Sequence, residues 1–315
     1  MNSKAKAVRR KRRSNGRGIG IAIMLVIAAA AVFMLLLKLG VLPDHIGPFT
    51  FYKRPAAADA ASSVRFIDVG QGDCTLAVSD GCAMLIDSGE SDSKDTVISY
   101  IRSLGIKRLE HIVITHPHSD HIGEMSDIAG VFEVGRIMLP PVPEALETKA
   151  YSYEKLMKTA RKRDIPVETA RDQTFSLGSF EVTVTVPAQQ GEDLNNCSLI
   201  TRLTLGDNSF LITGDCGAEE EKALIEQGAV LGAEVLRVGH HGSSSASSER
   251  FLEQVRPRYA VISCAAGNDY GHPSEKTLRR LEKYVQQIYI TRDSGTVTFT
   301  CDGGELGIYP EKTDE

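Results

Sequence analysis

Six consecutive residues, His116-Pro117-His118-Ser119-Asp120-His121, restrict the folds open to this chain more than any other feature. They follow the apolar run Ile112-Val113-Ile114 and precede a stretch with helical spacing, which puts them on a strand-to-helix loop. Three imidazoles and a carboxylate this close together cannot all be satisfied inside an apolar core. Two histidines two apart can grip one metal ion, while the Asp-His pair grips a second. The chain has only 8 histidines in 315 residues, so composition alone does not produce such a cluster. The bland alternative is a polar surface turn.

Short β-rich runs alternate with helical ones from Val64 onward. The predicted strands are Val64–Val69, Thr75–Ser79, Ala83–Ile86, His111–Thr115, Arg136–Leu139, Phe180–Val186, Leu199–Leu205, Phe210–Thr213, Glu234–Val238, Tyr259–Ser263, Gln287–Thr291 and Thr296–Thr300. The predicted helices are Lys94–Leu104, His121–Ala129, Ser152–Arg163, Ala218–Gln227, Ser248–Val255 and Glu275–Tyr284. Asp80-Gly81 reads as a tight hairpin turn. The first half opens with a hairpin and then alternates, and the second half repeats that order. An α/β (α+β) domain of two mixed sheets covered by helices fits this best.

Ahead of that domain, Ile19 to Leu37 is an almost unbroken apolar run of nineteen residues. At about 1.5 Å per residue it matches a bilayer core of about 30 Å. Residues 1–17 carry eight basic side chains and no acidic ones, which predicts a cytoplasmic N-terminus with the remainder exported. The run is longer than the apolar part of a cleaved signal peptide, so an uncleaved anchor is expected. The resulting organisation is a basic tail over 1–18, a transmembrane anchor over 19–42, a linker over 43–63 and a domain over 64–315. The chain would be a single-pass protein of the cell membrane with its domain outside.

Setting the basic tail aside leaves 28 Lys and Arg against 41 Asp and Glu, a net charge of −13. A polyanionic substrate would need something other than bulk charge to hold it, and a metal is the obvious device. Tryptophan is absent and aromatics are scarce, which argues against an extended stacking surface for single-stranded nucleic acid. None of the six cysteines has C-x-x-C spacing, so a cysteine zinc knuckle is excluded. Cys197 and Cys216 bracket a hairpin and are either a disulfide or two free buried thiols.

The hexapeptide, H-x-H-x-D-H on such a loop, resembles the metallo-β-lactamase superfamily. Six further segments stand in the same order as in that family's ComEC-type competence proteins: Phe66-Ile67-Asp68-Val69-Gly70-Gln71-Gly72-Asp73, Leu85-Ile86-Asp87-Ser88-Gly89, Asn195-Asn196-Cys197-Ser198-Leu199, Leu211-Ile212-Thr213-Gly214-Asp215, Val238-Gly239-His240-His241-Gly242-Ser243 and Tyr270-Gly271-His272-Pro273-Ser274. The resemblance covers residues 64–310 and implies a metallo-β-lactamase-like αββα sandwich.

It also implies roles. His116 and His118 would hold a first divalent ion, Asp120 and His121 a second, and Asp215 would bridge both; the plainer reading of Asp215 is a helix cap. Of His240 and His241, one would be a ligand and the other would face substrate, and the sequence leaves the choice open. Asp120, His241 and His272 are the expected catalytic residues. Asp87 and Asn196 would stand behind the ligands, Asp87 bracing the metal loop. Asp68 and Asp73 read as structural, and His45 and His111 as linker and surface residues. No histidine occurs between residues 121 and 240, where the wider superfamily has a third imidazole for the first ion; Asn195 or Asn196 takes that region. An amide oxygen is a harder, weaker ligand, so Mn²⁺ stands beside Zn²⁺ as the expected pair of ions and the first site is expected to bind loosely. The function implied is a membrane-anchored, extracellular, metal-dependent phosphodiesterase or nuclease acting on DNA. Two alternatives are a hydrolase of a smaller envelope substrate (a phosphorylcholine-type ester, a nucleotide, a lactone or a β-lactam) and a non-enzymatic binding module.

Overall fold

The computed structural model describes residues 55–90, 94–143, 151–188 and 193–312, together with 45–46, 49–50 and helical positions 24, 27, 28 and 32. It divides into two units, residues 1–54 and 55–315. In the first, His45–Ile46 and Phe49–Thr50 pair as a short antiparallel hairpin. Among the described residues no helix is long and apolar enough to cross a membrane. Most of the expected anchor over 19–42 lies outside them. The second unit begins at Pro55, inside the stretch expected as linker, because Arg65 donates to the carbonyls of Ala56 (2.9 Å) and Ala57 (2.8 Å).

The second unit contains two mixed sheets. Its first strands are β1 (Ser62–Phe66), β2 (Thr75–Ser79) and β3 (Cys82–Ile86), followed by α1 (Lys94–Ser103) and β4 (Arg108–Val113). Then come α2 (Ser119–Ile122), α3 (Met125–Val131), β5 (Glu133–Leu139), α4 (Tyr151–Lys162) and β6 (Val167–Thr169). The second half runs through β7 (Gln173–Leu177), β8 (Phe180–Thr185), β9 (Ile200–Leu205), β10 (Asn208–Ile212), α5 (Ala218–Glu226), β11 (Val235–Arg237), α6 (Glu249–Val255) and β12 (Tyr259–Ile262). It ends with α7 (Glu275–Leu281), β13 (Gln287–Ile290), α8 (Thr291–Ser294), β14 (Val297–Thr300) and β15 (Gly307–Pro310). One sheet has the order β15-β14-β1-β2-β3-β4-β5-β6, the other β13-β12-β11-β10-β9-β8-β7.

Alternating side chains explain the layering. In β3, Met84 and Ile86 face the other sheet, beside Phe210 and Ile212 of β10. Ala83 and Leu85 face outward against Val97, Ile101, Ile128 and Leu156 of the covering helices. On the second sheet Leu211 and Leu236 pack outward against Leu224, Phe251, Leu252 and Leu281. Strands apolar on both faces need cover on both, and the αββα sandwich supplies it. The expected strands all occur with small shifts at their ends. Three that were not expected, β6, β7 and β15, lie at sheet edges, where few residues are fully buried. The predicted helix His121–Ala129 is two helices, α2 and α3. All six cysteines are free thiols, so Cys197 and Cys216 are not bridged.

β3 to β6 pair in parallel, as do β10 to β13. Asp87 follows β3, the His116–His121 loop follows β4, Asp215 follows β10, and His240 and His241 follow β11. His272 lies on the segment after β12. The carboxyl ends of parallel strands in two facing sheets thus deliver the candidate residues to one place, the general location of sites in open α/β sheets.

Candidate metal centre

Four side chains form the floor of the site. Asp120, His121, Asp215 and His241 each offer one ligand atom, and all four atoms lie within 4.8 Å of one another. His241 Nε2 is 3.1 Å from Asp120 Oδ2 and 3.5 Å from Asp215 Oδ2, and His121 Nε2 is 3.3 Å from Asp215 Oδ1. Donors arranged tetrahedrally at about 2.1 Å from one ion stand roughly 3.4 Å apart. His121 Nε2 and Asp215 Oδ1 are buried and have no hydrogen-bond partner. Buried polar atoms of this kind carry a desolvation cost unless something satisfies them, and a divalent cation fits both.

Each imidazole in this set has its other nitrogen occupied. His121 Nδ1 donates to Asp87 Oδ2 at 2.8 Å. Asp87 is itself fixed by Thr115, whose hydroxyl donates at 2.6 Å and whose amide donates at 2.8 Å. His241 Nδ1 donates to the Ser263 carbonyl at 2.9 Å, which leaves Nε2 to face the cluster. Such partners fix the tautomer and the ring orientation of a ligating histidine. Burial would lower the His121 imidazole, but Asp215 and Asp87 outweigh it and hold the group well above its ordinary value. His241 is raised against burial by Asp215 and Asp120. Asp215 and Asp120 are held low against burial, Asp215 by the charges of His241 and His121 and Asp120 by its hydrogen bond with His241 and the charge of His121.

A second pair of donors lies beside the first set. His116 Nε2 is 3.1 Å from His118 Nδ1 and 3.9 Å from Asp215 Oδ2. His116 is braced by hydroxyls only, with Nδ1 at 3.2 Å from Thr115 Oγ1 and 3.3 Å from Ser198 Oγ. Burial pushes its imidazole well below the ordinary histidine value. Asp215 has donor distances to both groups, the position a bridging ligand needs.

The structure separates the two adjacent histidines. His241 is buried in the four-residue set, whereas His240 lines the cleft, with Nε2 3.8 Å from Asp215 Oδ2 and its ring against His272. Both adopt left-handed backbone, φ 51° in each case. Two successive non-glycine residues in that region cost energy that the surrounding structure must offset, a pattern that gathers at functional loops. His272 joins His240 on the rim of a cavity of about 310 Å³. A larger surface hollow of about 610 Å³ beside α6 and α7, lined by Glu249, Glu275, Lys276, Arg279, Arg280 and Lys283, brings no histidine or cysteine together.

Two expectations need correction. Asn196 does not stand behind the ligands. Its Oδ1 accepts from the Asp193 amide and its Nδ2 donates to Glu220, which caps a short helical turn. Asn195 instead lines the cavity, and its Oδ1 is buried without a hydrogen-bond partner. His111 is half-buried rather than free at the surface: it packs on Phe175 at 4.5 Å and accepts from Arg136 Nε at 2.9 Å.

Arg237 and its link to Asp73 were not expected. Arg237 is fully buried, ion-paired to Asp73, and donates to the Gly214 carbonyl at 2.6 Å. Asp73 also lies 3.7 Å from His241 Nδ1 and 3.9 Å from His121 Nδ1. The signal was an arginine inside the apolar strand run Val235-Leu236-Arg237-Val238. Gly72 lets its segment lie close against the metal loop, since a Cβ there would clash with the Asp120 carbonyl oxygen. That closeness lets the Asp73 amide donate to Asp120 O at 3.0 Å. The buried thiols of Cys74 and Cys216 are pushed well above their ordinary value by burial, so neither is a ready thiolate ligand.

The chain is similar to three curated proteins over most of its length. ComE operon protein 3 of Bacillus subtilis (strain 168) is 29% identical over 271 residues, covering 78% of this chain and 34% of that one. Competence protein ComA of Neisseria gonorrhoeae is 29% identical, covering 81% and 35%, and Recombination protein 2 of Haemophilus influenzae is 30% identical, covering 78% and 30%. The chain spans about a third of the length of these relatives. The fold is similar to that of CmlA, a diiron beta-hydroxylase from Streptomyces venezuelae (TM-score 0.54, 15% identity, 77% of this chain and 54% of that). It is also similar to YhfI from Bacillus subtilis (TM-score 0.51, 12% identity, 78% and 99%). The superfamily profile matches residues 67–266, the span that holds both halves of the cluster up to His241. With that match and the two-sheet fold beneath it, the chain belongs to the metallo-beta-lactamase superfamily.

Proposed function

We propose that this chain is a membrane-anchored phosphodiesterase that takes nucleic acid as its substrate outside the cell. The observation that carries the hydrolytic part is the convergence of Asp120, His121, Asp215 and His241 around two buried, unpartnered ligand atoms. In this reading those four residues hold one divalent ion, and His116 and His118 hold the other with Asp215 shared. When bound, two Zn²⁺ or Mn²⁺ ions lower the pKa of a bound water and stabilise negative charge on the substrate. With an ion in place, Asp87 and the Ser263 carbonyl would hold the remaining proton of His121 and His241 on Nδ1, which would leave each Nε2 to act as a ligand. His240 and His272 stand on the rim, where burial lowers both imidazoles and favours the neutral form. A neutral imidazole there can donate a hydrogen bond to a phosphoryl oxygen without adding charge.

The choice of nucleic acid is supported by the competence and recombination proteins among the relatives, each of which is about three times as long. The membrane anchor is supported by the apolar run over 19–37 and the basic residues before it. The test is to load the full chain with Mn²⁺ or Zn²⁺ and compare single-stranded DNA, bis-p-nitrophenyl phosphate and nitrocefin. DNA cleavage that is lost in Asp120→Ala is expected. Nitrocefin turnover without cleavage of either phosphodiester would replace this reading with that of an amide or lactone hydrolase.

A further inference from the structure

The cleft has one feature that an ion pair does not call for. Tyr270 stands on its rim with 69% of its surface exposed, yet the loop beneath it is firmly held. Asn268 is the hub of that loop. Its Nδ2 donates to the carbonyls of Ala265 (3.0 Å) and His272 (2.6 Å), and its Oδ1 accepts from the amides of Tyr270 (3.2 Å) and His272 (2.9 Å). The Ala265 amide is tied in turn to Gln71 Oε1 at 3.4 Å.

The rings at this rim form a row. Tyr270 lies nearly parallel to His272, with centroids 5.7 Å apart and planes at 23°. His272 lies against His240 at 5.7 Å and nearly parallel to His241 at 6.4 Å. Flat surfaces therefore run from the buried ligand set out to solvent. A ring this exposed adds little burial to the fold, so packing does not account for its place. Holding an aromatic ring open on a rigid support is what base stacking requires.

We propose that Tyr270 is a stacking platform for a nucleobase, so that the site takes phosphodiesters bearing a nucleoside beside the scissile bond. This rests on the hydrolase reading above and names its substrate class. A nucleoside phosphodiester matches both parts of the cleft, with a flat base for the ring row and an anionic phosphate for the cation-binding floor. The body of the chain is acidic and gives a polyanion no bulk attraction. Stacking is a contact that does not depend on charge.

The experiment uses the full chain loaded with Mn²⁺ and two esters with one leaving group, thymidine 5′-(p-nitrophenyl phosphate) and methyl p-nitrophenyl phosphate. In both, water adds to phosphorus and the bond to p-nitrophenolate breaks. Tyr270→Ala is expected to raise KM for the thymidine ester about tenfold, while kcat and the methyl ester kinetics stay unchanged and Tyr270→Phe restores the wild-type values. Calorimetric titration with thymidine 5′-monophosphate gives a reading that does not depend on turnover, and its Kd is expected to weaken by the same factor in Tyr270→Ala. Equal changes for both esters, or an unchanged Kd, would overturn the proposal. If neither ester is turned over, the hydrolase reading falls, and the titration still decides the stacking.

Discussion

The two halves of the candidate metal centre meet at Asp215 but are built to different standards. Around His121 and His241 both imidazoles are braced by a carboxylate or a carbonyl: Asp87 on one ring, Ser263 on the other, with the Asp73–Arg237 pair alongside. Around His116 the braces are two hydroxyls, and the cavity beside it is lined by the amide of Asn195 where a third imidazole is absent. A carboxylate behind an imidazole raises its basicity and fixes its plane, and a hydroxyl does so weakly. Two of the three consecutive glutamates at the start of α5 extend the contrast. Glu220 holds the Asn195 turn through one bond to Asn196 Nδ2, while Glu221 accepts the amides of both Ser247 and Ser248 beyond the His241 loop. The lesson is that a two-ion site can hold its ions unequally, with the difference set by what stands behind the ligands.

The largest expected effect removes the shared residue. Asp215→Ala should leave neither ion after dialysis, as elemental analysis would show. Phosphodiester turnover should fall by more than the 10–100-fold typical of losing an outer partner. Retention of one ion would break the idea that Asp215 serves both halves. The next effect compares the braces directly. Asp87→Ala should weaken the more tightly held ion about 10–100-fold, read by competition with a chelator of known affinity. Ser198→Ala should weaken the looser one by less than about tenfold, since it removes a hydroxyl brace. Equal losses would mean that the two halves are not differently supported.

Much of this contrast was legible in the sequence, and the illegible part has identifiable causes. His116, His118, Asp120 and His121 stand together in the chain, so local spacing revealed them. Asp215 and His241 stood at the ends of apolar strand runs, which the fold brings to the same edge. The choice between His240 and His241 was not legible, because it depends on two left-handed residues that turn one ring inward and the other toward His272. The choice between Asn195 and Asn196 was closed to sequence for a similar reason: Asp193 three positions before Asn196 makes a capping box, and that takes up the Asn196 side chain. Arg237 was read as one residue of a strand. Its role became visible only when Asp73, 164 positions away, was placed beside it.

A gain of function sharpens the comparison further. Asn195→His would supply the looser half with the imidazole it lacks, at a position that already lines the cavity. The variant should retain a second Zn²⁺ through dialysis that strips it from the wild type, a shift of about tenfold or more in affinity. A variant that binds no more zinc than wild type would mean that the weakness of this half lies in its hydroxyl braces and not in the missing ligand.

The smallest effect concerns the support of the His241 loop. Burial raises the Glu221 carboxyl to about 7 from an ordinary 4.5, against the opposing bonds from the Ser248 and Ser247 amides. Its folded value lies above its unfolded one, so between those two values the folded chain binds a proton that the unfolded chain has released. Stability from this group is therefore complete below pH about 4.5, falls as pH rises, and levels off above about 7. The total is on the order of 3 kcal/mol. Glu221→Gln imitates the protonated carboxyl, so its melting temperature should equal that of wild type near pH 4.5 and exceed it by a few degrees near pH 8. Taking the difference between the two proteins cancels the other titrating groups, since Glu221 contacts none of the metal ligands directly. A constant gap across that range would show that Glu221 stays ionised in the folded chain and steadies the loop as a fixed charge instead.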